Sequence, residues 1–181
     1  MRNPFSDTGI DLTPREFELA TKEWLESSGN KLKNIEVTHD VNMEAHDGTY
    51  QVDVLATFEA LGAEFKVIVE CKKHKNAIPR SMVQILHDRI RSLGAQKGIL
   101  FATTGFQSGA IKYATEHGIA LVSIVDGDAN YETRSAYPTP KPTWMDFPKY
   151  MGWSYQENDN GNVSVKAVQF DENFLSFINE P

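Results

Sequence analysis

Cysteine is almost absent. Cys71 is the sole one in 181 residues, which excludes an internal disulfide framework and a cysteine-built zinc site. Long apolar runs are missing as well. No stretch approaches the roughly 20 apolar residues that span a bilayer, and residues 1–7 carry no apolar signal-peptide core. The expectation is a cytoplasmic chain with no membrane partner. The histidines at 39, 46, 74, 87 and 117 never pair at zinc-ligand spacing. Neither Ser81 nor Ser108 stands in a nucleophile-elbow pattern, and no lysine follows Thr103-Thr104-Gly105 at phosphate-loop spacing. Serine hydrolase and P-loop chemistry therefore have no support. Internal repeats and low-complexity runs are lacking too.

Net positive charge is also lacking, since the formal charge is −7. For a nucleic-acid partner the distribution matters more than the sum. Between Cys71 and Lys97 stand Lys72, Lys73, Lys75, Arg80, Arg89, Arg91 and Lys97, against Asp88 alone. A patch of that size can engage several phosphates even on an acidic chain, although the same residues would also serve as solvated loop and helix charges. Residues 126–181 are the reverse, with nine acids against four bases. Such a segment repels DNA and belongs away from a DNA-binding cleft or against a protein.

What is present suits one domain of ordinary size, with 40% hydrophobic and 24% charged residues. Thr13-Pro14-Arg15-Glu16 is a helix start, with threonine as cap, proline at the first position and glutamate three residues after the cap. Phe17, Ala20, Trp24 and Leu25 follow at helical spacing, and Gly29 ends the run. Strands are expected over 33–44, 50–58 and 64–72, the last two joined by a hairpin-length loop at 59–63. A second helix runs from Pro79 to Leu93 with Met82, Ile85, Leu86, Ile90 and Leu93 on its buried stripe. The apolar run 98–103 is a buried strand. Ser108 caps a helix carrying Ala110, Ile111 and Ala114, closed by His117-Gly118, and 119–125 is a further buried strand.

Beyond that point prolines 138, 140, 142 and 148 mark a loop-rich stretch. Trp144, Phe147, Tyr150, Trp153 and Tyr155 crowd beside it and need a surface to dock on. Asp159-Asn160-Gly161-Asn162 is a turn between 151–156 and 163–170, a terminal hairpin. The chain thus divides into a leader at 1–12, a domain at 13–125 and an extension at 126–181. The fold class is α/β: a mixed β-sheet flanked by helices in αβββαβαβ order, with a loop-rich C-terminal extension.

The chemistry lies in two neighbouring strands. Side chains alternate along a strand, so Glu70 and Lys72 share one face and Cys71 takes the other. With Asp53 on the partner strand, two acids and one lysine converge. Two carboxylates can hold a hard divalent cation, and the lysine can orient or activate water. Phosphodiester hydrolysis needs that equipment. Gln51 stands two residues from Asp53 on its face, placed to touch substrate, and Lys73, Lys75 and Arg80 in the basic stretch are candidates for phosphate contact. The bland alternatives are a strand-end salt bridge for Glu70 and Lys72 and a solvated position for Asp53. The latter is hard to reconcile with the apolar neighbours Val52, Val54 and Leu55.

In order along the chain stand Phe17-Glu18, Gln51-Val52-Asp53-Val54, Glu70-Cys71-Lys72 and Thr103-Thr104-Gly105-Phe106. This series resembles the Mrr-like restriction endonuclease branch of the PD-(D/E)xK nucleases over roughly residues 14–125. Each motif alone is common; their joint order is specific. One departure is Val52, where the family usually has proline. The resemblance implies a restriction-endonuclease-like fold and a Mg²⁺- (or Mn²⁺-) dependent endonuclease acting on DNA, of restriction or defence type. It implies Asp53, Glu70 and the backbone carbonyl of Cys71 as metal ligands. Lys72 would position the attacking water. Glu18 would be a further metal-binding or catalytic acid, and Gln84 a residue near the lysine or the scissile phosphate. Partners beyond DNA would be a second copy in a homodimer, or a separate recognition or ATPase subunit, since no DNA-reading domain is evident. Three alternatives stand beside it. One is a nuclease-fold subunit that binds nucleic acid or a partner without cutting. Another is a junction-resolving or repair nuclease. The last is an α/β enzyme with a substrate other than nucleic acid.

Overall fold

The structure is a computed structural model that describes residues 10, 12–29, 31–126 and 150–168. Helix α1 spans Pro14–Ser28. Its start forms the expected capping box: the Glu16 amide donates to Thr13 Oγ1 at 3.2 Å, and the Thr13 amide donates to Glu16 Oε2 at 2.6 Å. Strands β1 (Lys33–Ala45), β2 (Gly48–Ala60) and β3 (Ala63–Lys72) follow as an antiparallel meander. The expected loop at 59–63 shrinks to Leu61-Gly62, because both residues take positive φ, 53° and 79°, the geometry of a two-residue hairpin turn.

Helix α2 (Arg80–Ser92), strand β4 (Lys97–Ala102), helix α3 (Ser108–Glu116) and strand β5 (Ala120–Asp126) complete the αβββαβαβ series. β3, β4 and β5 run parallel. The C-terminal hairpin forms as β6 (Tyr150–Glu157) and β7 (Val163–Val168), and β6 pairs antiparallel with β5. The result is one seven-stranded mixed sheet in the order β1 to β7. The hairpin therefore extends the sheet. Tyr155 is buried there, its hydroxyl 3.0 Å from Ser123 Oγ and its ring edge-on to Phe106. Trp153 packs partly buried on the same side, whereas Trp144, Phe147 and most of the leader lie outside the described residues.

Two cores result. α1, with Ile10, Leu12, Phe17 and Ala20, packs on Val54, Val69, Phe101 and Val122. α2 and α3, through Val83, Leu86, Ala110, Ile111 and Ala114, pack on Ile68, Leu100 and Leu121. Leu100 and Phe101 face opposite cores and are both fully buried, as an inner parallel strand requires. Two local expectations fail. Ile85 is 56% exposed, because the buried stripe of α2 is Val83, Leu86 and Leu93, flanked by Met82 and Ile90. Ser108 is the first helical residue; Gln107 is the cap and makes no side-chain capping bond.

Candidate functional site

Pairing between β2 and β3 runs from Ala60↔Ala63 to Val54↔Val69 and stops there. Continued one step, it would place Asp53 opposite Glu70. Instead the strands part. The Cys71 amide, left without a strand partner on that side, donates to Asp53 Oδ2 at 2.8 Å. A carboxylate thus replaces a main-chain carbonyl at the fork, which satisfies a backbone donor that would otherwise be stranded. β3 goes on alone beside β4 through Lys72↔Ala102.

The strand opposite is irregular at the same level. β1 pairs with β2 through Thr38↔Leu55, His39↔Val54 and Val41↔Val52, so Asp40 is the residue facing Asp53. Asp40 has φ of 55°, a conformation that Asp tolerates better than most residues. The faces swap across this point. Ile35 and Val37 pack with the α1 core, but Met43 and Ala45 pack with the α2 core, although all four share one parity. On β2, Val52 lies in the α2 core while Val54 and Ala56 lie in the α1 core. Simple alternation would put these residues on a single face; the break at Asp40 and Asp53 turns the hairpin and opens the fork.

Within the fork, Lys72 Nζ lies 3.9 Å from Asp53 Oδ2 and donates a hydrogen bond to Glu70 Oε1. Arg89 of α2 donates through Nη1 to Glu70 Oε2 at 2.6 Å, and through the same nitrogen to the Gln51 carbonyl at 3.4 Å. The Glu70 side chain is only 8% exposed, and each of its oxygens has a cationic partner. Asp53 is different. Burial holds its carboxyl above the usual carboxylate range, and the charges of Glu70 and Glu18 push the same way; the Cys71 amide and Lys72 oppose them. The Cys71 thiol is buried on the α1 side, and burial pushes its pKa far up, so it is an inert packing group.

The other expected residues distribute as follows. Glu18 faces the fork from α1, and its Oε2 is 2.8 Å from His39 Nε2. Gln51 Nε2 donates to Asp40 Oδ1 at 2.6 Å. Lys73 Nζ donates to the Leu12 carbonyl at 2.5 Å, which ties the end of β3 to the segment before α1. Lys75 and Gln84 are exposed, and the Arg80 guanidinium sits 4.9 Å from the centre of the Tyr113 ring. Asp53, Glu70 and Lys72 therefore come together, with Glu18 close by, whereas Gln84, Lys75 and Arg80 stand on the surface without contact to that group among the described interactions. Thr103 and Thr104 have a structural duty. The Thr103 hydroxyl accepts from the His74 amide at 3.2 Å and the Thr104 hydroxyl donates to the Asn76 carbonyl at 3.0 Å, pinning the loop between β3 and α2.

Arg89, His39 and Asp40 are the site residues that sequence reasoning passed over. Arg89 was visible as one of seven bases in a patch, but nothing in that patch singles out the arginine that reaches Glu70. Among the described residues no three His, Cys, Asp or Glu side chains form a metal cage. Two carboxylates, Asp53 and Glu70, are what the fork offers a cation. That donor set fits Mg²⁺, which keeps several waters and takes one or two carboxylates with substrate phosphate.

Residues 10–129 match the family model of the Mrr catalytic domain, described as restriction endonuclease. No curated protein matches the chain. Among solved structures, a protein of unknown function, AF1548, aligns at 22% identity with a TM-score of 0.48, over 58% of this chain and 56% of its own. VC1899 from Vibrio cholerae aligns at 16% identity with a TM-score of 0.49, over 66% and 31%. The DNA modification-dependent restriction endonuclease AspBHI aligns at 17% identity with a TM-score of 0.37, over 62% and 33%. The chain thus spans only part of the length of each of these proteins.

Proposed function

This chain belongs to the restriction endonuclease family, and from that premise we propose that it hydrolyses DNA phosphodiester bonds with Mg²⁺ or Mn²⁺ at the β2–β3 fork. The observation that carries this reading is the meeting of Asp53, Glu70 and Lys72 where the strands part. The cation would be held by Asp53 and Glu70 together with the Cys71 carbonyl, and when bound it supplies a Lewis acid for the phosphate oxygens and an acidified water. Asp53 is fixed for this by the Cys71 amide, so its free oxygen keeps one direction. Lys72 reaches both carboxylates. Its ammonium holds the nucleophilic water in line and offsets charge that develops on the phosphate. Glu18 adds negative charge from α1, oriented by His39. The basic residues of the β3–α2 region, Lys75 and Arg80 foremost, meet the DNA backbone.

Supercoiled plasmid, unmethylated and methylated, incubated with Mg²⁺ or with EDTA, tests the reading. Metal-dependent nicking that disappears in both Asp53→Ala and Lys72→Ala is the expected result. Absence of cutting by the wild type on every substrate would overturn it. A second reading has one observation in its favour: both oxygens of Glu70 are already paired with cationic side chains. On that reading the chain binds DNA or a recognition or ATPase subunit and leaves cleavage to the assembly. Nicking that appears only after a partner subunit is added would select it.

A further inference from the structure

We propose that Arg89 is a counter-ion that exchanges: it neutralises Glu70 while the fork holds no cation, and moves to a DNA phosphate when a cation and substrate arrive. This rests on the metal-nuclease reading above and adds to it a residue outside the family motifs. Glu70 has two oxygens. Lys72 holds one and Arg89 the other, at 2.6 Å. A divalent ion bound at Glu70 would meet a cationic side chain at contact distance on either oxygen, so like-charge repulsion favours the departure of one partner. Lys72 sits on the same strand two residues away and stays within reach of both acids. Arg89 comes from another element and, among the described residues, is held through Nη1, which serves Glu70 and the Gln51 carbonyl.

The guanidinium carries five N–H donors in a planar fork suited to phosphate, and the contacts among the described residues engage only Nη1. The side chain is 26% exposed, against 8% for Glu70, so it lies at the rim and has a way out. The exchange has a physical consequence. Without DNA, Arg89 competes with the metal for Glu70 and keeps metal affinity low; with DNA, the phosphate takes Arg89 and the competition ends. Metal loading and substrate binding then favour each other, as linkage requires.

The test is Mn²⁺ binding to the DNA-free protein by calorimetry, comparing wild type, Arg89→Met, Arg89→Gln and Asp53→Asn, with a thermal melt of each. Methionine keeps the apolar stem and removes the charge. Both Arg89 variants are expected to bind Mn²⁺ about tenfold more tightly, the order of one charge-assisted contact no longer competing. They are also expected to bind a 20-base-pair duplex in Ca²⁺ more weakly, with the salt dependence reduced by about one counterion. Unchanged or weaker Mn²⁺ binding in folded Arg89 variants would overturn the exchange and leave Arg89 as a structural pair. Absence of Mn²⁺ binding in the wild type and in every variant would instead overturn the metal-nuclease reading. Should neither neutral variant fold, the arginine side-chain resonances of the wild type decide. A shift of the Arg89 Nε–H signal on adding Ca²⁺ and duplex supports release from Glu70, and an unmoved signal overturns it.

Discussion

The Cys71 amide donates to the carboxylate of Asp53 at 2.8 Å, so a catalytic candidate also closes the backbone hydrogen-bond ladder where two strands separate. The fork and the acid depend on each other. Substitutions at Asp53 therefore divide into those that keep an acceptor and those that do not. Asp53→Asn keeps an acceptor and removes a half-buried charge, so it is expected to melt at or above the wild-type temperature while losing cleavage. Asp53→Ala strands the Cys71 amide and is expected to lose about 1–3 kcal/mol. Thermal melts beside plasmid nicking measure the two effects separately.

Asp53 also sets a pH dependence. Its folded pKa lies above the ordinary carboxylate value, through burial and the charge of Glu70. A folded state that holds the proton more tightly than the unfolded chain is stabilised at low pH, where both are protonated. That contribution is lost as pH rises from about the unfolded pKa through the raised folded one. The stability difference between wild type and Asp53→Asn is expected to grow in the variant's favour over that window. Paired melts from pH 4 to pH 7 would show it, and a flat difference would count against the raised pKa.

The burial of α2 predicts a contrast between neighbours. Leu86 is 1% exposed and Ile85 is 56% exposed. Leu86→Ala is expected to cost about 2–5 kcal/mol through the cavity it leaves. Ile85→Ala is expected to stay within about 0.5 kcal/mol of wild type, as surface substitutions do. Denaturant titrations of both variants would check the helix phase directly.

The β2–β3 turn offers a stabilising change. Leu61 has φ of 53° and is fully exposed, so its side chain contributes little packing against a strained backbone. Leu61→Asn suits the first position of this two-residue turn. It is expected to stabilise the chain by roughly 0.5–1 kcal/mol, the scale of relieving a left-handed conformation, and a rise in melting temperature would register it.

His39 and Glu18 form a pair 2.8 Å apart beside the fork. His39→Leu removes the group that orients Glu18 and is expected to lower cleavage several-fold without abolishing it, since Asp53, Glu70 and Lys72 remain. Loss of cleavage as complete as in Lys72→Ala would give His39 a more direct role.

Much of this protein was legible in the order of its residues. The capping box at Thr13, the β2–β3 hairpin, the apolar run of β4 and the turn at Asn160-Gly161 are local signals, set by propensity and by periodicities of neighbouring residues. The pairing of Asp53 with Glu70 and Lys72 was legible for the same reason, because adjacent antiparallel strands bring such positions together. Local signals reached less far on α2, where apolar residues at 82, 83, 85 and 86 allow two helical phases. The choice fell to the sheet beneath, which buried Val83 and left Ile85 outside. The joining of β6 to β5 was equally a tertiary decision, since a hairpin pattern states that two strands pair and not what they pair with.

The site divides the same way. Residue type and spacing along the chain determined which acids and which lysine could carry the chemistry. Only the tertiary structure decided that β2 leaves β3 at Asp53, that Asp40 turns the opposing strand there, and that Arg89 from α2 closes on Glu70. Those relations depend on a left-handed residue, an interrupted ladder and a helix packed across the sheet. They arise between segments far apart in sequence, where alternation and spacing carry no information.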